Sequence, residues 1–276
     1  MLNVLFIKRW NGILFIILCL CLHSVRAQTQ FDSLHQNLST AVGAEEQWSA
    51  NYELGKFYSL GKLVIDSADY YLRQAVDIAQ RAKLQNELGD AYWRLGRLHT
   101  DTDMPNNQLL PLLDSALLIN EQNSNLKNVM ELLNMKGLIY QHMGLQEKAL
   151  RYFNECLTIA KQLRDSHQMV ALYNSMAGSF DENQDTAKVL EYYRSGLEIA
   201  DTIGWTLGKS VLMNNIADVY LIQDKYEEAE AFFNESIQLK RSINNTTNLS
   251  VGLCQVAYVY METGRWELAV SSAQEG

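Results

Sequence analysis

Gly137, Ala177, Ala217 and Ala257 stand forty residues apart. Three residues after each comes an aromatic, Tyr140, Phe180, Tyr220 or Tyr260. Twelve residues after each comes Ala149, Val189, Ala229 or Ala269. Sixteen after it comes Phe153, Tyr193 or Phe233, with Ala273 in the last unit. A fixed period in this range is the signature of stacked helix pairs. Such stacks present surfaces far more often than they build catalytic pockets.

Within one period the apolar residues recur at three and four, the spacing of an amphipathic helix. The third unit reads as one helix through Asn134–Tyr140, a turn at Met143-Gly144, and a second helix through Glu147–Leu157. The small residue of the first helix lets the second approach closely, and the aromatic one turn later fills the gap to the neighbouring unit. Gly144, Gln184, Asp224 and Gly264 fall in the turn, where a positive φ or a side-chain cap is useful. The only two prolines are Pro105 and Pro111, which suits a nearly all-helical chain.

These residues resemble the tetratricopeptide repeat, whose motif has small residues at positions 8, 20 and 27 and bulky or aromatic ones at 11 and 24. Positions 8 to 27 correspond to 137→156, 177→196 and 217→236, a span of nineteen each time. The resemblance implies an all-α fold, a right-handed α-solenoid of antiparallel helix pairs (the TPR superhelix). The family's usual period is about 34 residues. The six additional residues fall between one unit's second helix and the next unit's first, which predicts that one or both helices are longer by up to a turn.

Two earlier units match less closely. Gly55 and Gly96 are 41 residues apart, as are Ala75 and Ala116, and their internal spacing is one residue wider than the motif's. The segment from Asp103 to Asn107, followed by Pro111, predicts a distorted turn and a late start to the second helix there. Phe31, Leu34, Leu38 and Val42 form one apolar stripe, so residues 28–43 read as an N-terminal capping helix and residues 44–276 as about six repeats. The sixth is incomplete, ending at Gly276 inside its second helix without a polar closing helix. That reads as a fragment, a truncated product, or an end that pairs with something else.

Residues 1–27 stand apart. Lys8 and Arg9 precede the apolar run from Ile13 to Leu22, and Val25-Arg26-Ala27 offers small residues at −3 and −1. This reads as a secretory signal peptide cut after Ala27, with an uncleaved anchor as the other reading. The expectation is an exported protein, periplasmic or in the cell envelope. Removing Lys8, Arg9 and Arg26, with no acid, takes the net charge from −9 to −12. Such acidity opposes nucleic-acid and anionic-membrane binding. Of four cysteines, Cys156 and Cys254 remain, on different helices, and read as buried free thiols.

Chemistry-bearing motifs are scarce. There is no HExxH, GxSxG, GxxxxGK or paired CxxC. His35 has only Asp32 and His99 only Asp103 near it in sequence, and neither pair has a third ligand. His142 reads as a solvated helix-end residue. Asp181 and Glu182 are adjacent and so face different ways on a helix. No catalytic residue, metal site or cofactor is expected.

The family resemblance implies a concave groove lined by first helices at positions 2, 5, 9, 12 and 13. Carried over, position 5 is Tyr52, Trp93, Asn134, Asn174, Asn214 and Cys254, while position 9 includes Lys56, Arg97 and Asp218. Three equally spaced asparagines form a ladder whose amides suit the backbone of an extended peptide, because each carries both donor and acceptor. Asparagine is also common at exposed helix positions, so the ladder has a plain structural reading as well. The early groove is aromatic and cationic, and the later one acidic. The carboxylate clamp that holds chaperone tails is not reproduced, since position 5 here is Asn, aromatic or Cys.

A leader followed by forty-residue repeats, with Asp66-Ser67-Ala68 and Asp114-Ser115-Ala116 opening second helices, is similar to exported sensor regions of Bacteroidota signalling proteins. That resemblance implies a peptide or protein ligand and a membrane histidine kinase or regulator as partner, with no nucleic acid and no metal. A structural adaptor for an envelope complex is the alternative.

Overall fold

The computed structural model describes residues 29–60, 64–100, 104–180 and 185–276. The leader lies outside these, as do Asp103, Asp181, Glu182 and Gln184. Every regular element among the described residues is a helix. The first, α1, covers residues 29–40. There follow α2 (Ala44–Leu60), α3 (Ile65–Ala82), α4 (Gln85–Thr100), α5 (Asn106–Gln122), α6 (Leu126–His142) and α7 (Gln146–Leu163). The rest are α8 (Ser166–Ala177), α9 (Thr186–Thr202), α10 (Thr206–Ile222), α11 (Tyr226–Ser242), α12 (Thr246–Glu262) and α13 (Trp266–Glu275). The protein is an all-α solenoid of antiparallel helix pairs, divided into two compact units, residues 1–128 and 129–276.

In the second unit α8 packs on α9, α10 on α11 and α12 on α13. Each second helix also packs on the following first helix, and α8 touches α10, so the first helices form one wall. The forty-residue pattern is the interior of this stack. Ala177, Ala217, Ala149, Val189 and Ala229 are fully buried, and Phe153 and Phe233 are the largest side chains with no exposure. Each such phenylalanine contributes about 1.5–3 kcal/mol by leaving water. A Cβ on Gly137 would lie 2.7 Å from Cδ1 of Phe153, so the ring sits closer here than an alanine would allow without its moving.

The six additional residues are shared by both helices. Helices α10, α11 and α12 each have 17 residues and are separated by three-residue turns. Each turn has one residue in the left-handed region: Gly144, Arg164, Gly204, Asp224, Asn244 and Gly264. They fall every twenty residues, with position 184 outside the described set. The closing bonds repeat too: Leu145, Lys225 and Arg265 donate backbone N–H to the carbonyls of Tyr140, Tyr220 and Tyr260 at 2.9, 3.0 and 2.8 Å. This is the Schellman stop, which satisfies carbonyls at the helix end. The exception is α8, which ends at Ala177 where its counterparts reach His142, Ile222 and Glu262. Gly178 and Ser179, both weak helix formers, follow it directly.

In the first unit α2 packs on α3, α3 on α4, α4 on α5, and α2 touches α4. Leucine takes the place of phenylalanine. A Cβ on Gly55 would come within 2.6 Å of Leu72 Cγ, and Leu72 and Leu113 are fully buried. The extra residue in these two units lies in the connections from Leu60 to Ile65 and from Thr100 to Asn106. The expected late start of the second helix does not occur. Pro105 is extended (φ −60°, ψ 138°) and serves as the cap of α5, which begins at Asn106, forty residues before α7. Pro111 is exposed inside the helix, where only one N–H is missing.

Candidate functional site

Two sets of side chains collect on first helices, one in each unit. In the first unit, α2 places Trp48 and Tyr52 one turn apart, and their rings stack with centroids 4.8 Å apart and planes 18° from parallel. From α4, the Arg94 guanidinium lies 6.0 Å from the Tyr52 ring centre and 4.8 Å from that of Trp93. Arg97 lies 5.9 Å from the same indole. Thus Tyr52, Trp93 and Arg97 come together, joined by Arg94. Lys56 pairs instead with Glu53 on its own helix at 3.1 Å, an exposed contact of small energetic weight. Burial pushes the Tyr52 phenol up, against the hydrogen bond and charge of Arg94. Nε1 of Trp48 and Nε of Arg94 are buried without a hydrogen-bond partner among the described residues.

The same unit holds a polar lock. The Asn120 amide, 1% exposed, donates to the carbonyls of Gly89 and Ala116, each at 2.9 Å. Its oxygen accepts from Asn128 at 3.0 Å, and Asn128 also donates to Asp90 at 2.7 Å. Burial pushes the Asp90 carboxyl up, and the Asn128 bond opposes that shift. In the second unit smaller residues serve the same first-helix carbonyl: Ser236 donates to Ser210 at 2.7 Å and Cys156 to Met130 at 3.1 Å.

The three sequence-selected asparagines of the second unit are not equivalent. Asn134 is half-buried on α6. Asn174 accepts from Asn215 Nδ2 at 2.6 Å, a bond that ties α8 to α10. Asn214 is 8% exposed. Its oxygen accepts from Lys240 Nζ at 2.8 Å and its amide donates to Asp218 at 3.2 Å. Asp218 accepts in turn from Gln255 at 2.7 Å, tying α10 to α12. The difference has a local cause: the second-helix place beside Asn134 and Asn174 is alanine, Ala160 and Ala200, and beside Asn214 it is Lys240. Burial pushes the Lys240 ammonium down, with Asp218 acting against it. Around Asn214 this wall offers amide donors and acceptors, the buried Lys240 ammonium and the Asp218 carboxylate.

Trp48, Arg94, Asn215 and Lys240 were not among the residues selected from sequence. Trp48 is one helical turn from Tyr52, a signal that periodicity alone carries. Lys240 belongs to a second helix, and the carry-over considered first helices only.

Other expectations changed in detail. Cys156 is buried, and burial pushes its thiol up to about 12. Cys254 is exposed, contrary to expectation, because the period puts it at the wall position of α12 and not at a packing position. The partner of His99 is Asp69 on α3, at 2.6 Å. Burial raises the Asp69 carboxyl, but hydrogen bonds from His99 and Arg73 outweigh it and hold the group below the usual range. His142 is exposed at the end of α6. Among the described residues no group of three or more His, Cys, Asp or Glu is placed to hold a metal ion, and no helix is long and apolar enough to cross a membrane.

Family models for the tetratricopeptide repeat match residues 128–202 and 211–243. The chain is 25% identical over 129 residues to the 43 kDa receptor-associated protein of the synapse from Tetronarce californica, covering 47% of this chain and 31% of that protein. A signal transduction ATPase with numerous domains from Pyrococcus horikoshii, which has a tetratricopeptide repeat sensor, superposes with a TM-score of 0.75 at 19% identity. That match covers 90% of this chain and 38% of the other. NprR in complex with its cognate peptide NprX superposes with a TM-score of 0.58 at 15% identity, covering 89% and 71%. This chain therefore spans about a third of the length of the first two proteins. At such identities the structural likeness speaks to fold. The family-model matches, the helix pairs and their recurring small-to-aromatic contacts together show that the chain carries tetratricopeptide repeats over residues 128–202 and 211–243.

Proposed function

We propose that this protein binds a peptide or an extended segment of a partner protein along its first-helix wall and performs no catalysis of its own. The observation that carries this reading is the row of amides on α6, α8, α10 and α12. Asn134, Asn174, Asn215 and Asn248 are all partly exposed there, and each carries donors and acceptors matched to a peptide backbone. The peptide held by NprR in a similar fold supports it. Within the first unit by itself, the aromatic and guanidinium patch of α2 and α4 has side chains of the kind enriched at binding hot spots. The leader-like residues 1–27 support export, and the tetratricopeptide repeat sensor of the Pyrococcus horikoshii ATPase supports a signalling role, for which a membrane histidine kinase or regulator is the proposed partner.

A phage-displayed library of random peptides, panned against the protein, tests the reading. A selected peptide should bind about tenfold or more weakly when Asn134 and Asn174 are both replaced by alanine, two hydrogen bonds being worth about 0.5–1.5 kcal/mol each. Far-UV circular dichroism should be unchanged. Equal binding by the double variant would move the site off this wall.

A further inference from the structure

Lys240 occupies a place that recurs through the chain, and its counterparts are Ala79, Asn120, Ala160 and Ala200, all buried. Twelve residues later its neighbour on the next first helix is Gly252, where the counterparts are Ala91, Leu132, Leu172 and Leu212, each at most 1% exposed. In the preceding pair Ala200 and Leu212 share one apolar cluster. At the Lys240 pair both residues have changed together: the leucine has gone and a long cationic chain enters the space. A Cβ on Gly252 would lie only 3.2 Å from Lys240 Nζ and 3.6 Å from Asn214 Oδ1. Packing alone does not call for this exchange, since alanine and leucine already fill the site elsewhere in the same stack.

Lys240 as a residue is 3% exposed. Its ammonium has three donors, and the bond to Asn214 Oδ1 at 2.8 Å accepts one of them. Asp218 is its electrostatic counterpart, yet that carboxylate receives hydrogen bonds from Asn214 and Gln255. A buried ammonium with unfilled donors is costly unless something supplies acceptors. Beside it is a cavity of about 140 Å³ lined by Val211, Asn214, Asn215, Lys240, Asn248 and Val251. The lining holds one cation, three amides, two valines and no acid. That is smaller than the roughly 300–1,000 Å³ of a drug-sized pocket, and the polar groups suit a small planar anion.

We infer that this cavity binds a carboxylate, with Lys240 Nζ as the charged donor, the amides of Asn215 and Asn248 as neutral donors, and Val211 and Val251 against the carbon stem. The inference rests on the proposed peptide-binding wall only for the origin of the carboxylate, a chain terminus or an acidic side chain. The pocket itself stands without that reading. The charge-assisted bonds to Lys240 supply most of the attraction, and Gly252 leaves room for the ammonium to face the cavity.

The test is an NMR titration of the protein with small probes, following the Gly252 amide and the Lys240 side-chain resonances. N-acetylglycine, which imitates a chain terminus, and N-acetylaspartic acid α-amide, which imitates an acidic side chain, should shift both signals with saturation. The tighter of the two identifies the source. N-acetylglycinamide, which has no carboxylate, should leave them unmoved. Lys240→Met should weaken carboxylate binding about tenfold or more, the worth of one charge-assisted bond. Val251→Trp, which fills the exposed rim and keeps the cation, should do the same with the Lys240 signals of the free protein retained. Equal shifts from N-acetylglycine and N-acetylglycinamide, or no saturable shift from either carboxylate, would overturn the inference while leaving the panned-peptide result for the asparagine wall to stand or fall by itself.

Discussion

The two units of this molecule solve one packing problem with different side chains. Where a first helix meets its second, residues 129–276 bury Phe153, Tyr193 and Phe233 against a glycine or alanine. At the same place residues 29–128 bury Leu72 and Leu113. The polar supports differ in the opposite sense. In the second unit a single hydroxyl or thiol, from Ser236 or Cys156, serves the first-helix carbonyl. In the first unit that task falls to Asn120, which also anchors Asn128. The regular unit therefore places rings where the irregular one places leucines, and each unit holds one buried polar side chain at the same second-helix place, Lys240 in the regular unit and Asn120 in the irregular one.

The comparison is broken most directly at the rings. Phe153→Ala should lower stability by about 3–5 kcal/mol, and Leu72→Ala should fall in the lower part of the range of about 2–5 kcal/mol known for leucine. Urea denaturation followed by circular dichroism measures both. A larger loss from Leu72 would mean that ring area is not what distinguishes the units. Next in size is Asn120→Ala, which removes the bonds to the Gly89 and Ala116 carbonyls and leaves one N–H of the Asn128 amide without its acceptor. A loss of about 2 kcal/mol is expected, against about 1 kcal/mol for Ser236→Ala, because unmet buried groups cost more than a single net bond. Equal losses in the same denaturation experiment would show that the polar lock carries no additional weight.

Sequence periodicity located the contacts of the helix pairs because those contacts need particular volumes at particular intervals. Gly137 against Phe153 and Ala217 near Phe233 follow from spacing alone. Gly144, Asp224 and Gly264 were expected in turns and have positive φ, but the intervening turns, which halve the recurrence to twenty residues, were hidden, since Arg164 and Asn244 share no chemistry with Gly204. Their conformation comes from the carbonyls each turn must satisfy, not from the residue that sits there. The candidate site was legible only in part, for a related reason. Wall positions follow from the period, but which neighbour occupies an amide depends on the adjoining second helix. The signal for Lys240 was present as a lysine where the two preceding units have Ala160 and Ala200, paired with a glycine where they have Leu172 and Leu212. It is visible only when second helices are aligned with the first helices of the following unit.

The smallest expected effect concerns those turns. Glycine already occupies the left-handed position at Gly144, Gly204 and Gly264, whereas Arg164 holds it at φ 55°. Arg164→Gly should raise stability by about 0.5–1 kcal/mol, since a left-handed residue with a Cβ is strained by about 1–2 kcal/mol and the greater freedom of glycine in the unfolded chain takes part of that back. Thermal melting would show it as a small upward shift. In the first unit Lys83→Gly, at φ 58°, should give a similar gain, and a gain in one unit alone would mark that unit as the first to open.

The equal turns also impose a rule of parity. Helices of matched length joined by matched turns make a single helix-and-turn of twenty residues the smallest step by which the chain advances, and each step carries it from one wall to the other. Inserting one such step would exchange the walls for every helix that follows, turning amide-bearing faces toward the places that aromatic packing faces should fill. Inserting two would restore the pattern and lengthen the stack by one unit. Growth or loss in this molecule is therefore tolerated in even numbers, which makes the forty-residue sequence period a doubled structural one.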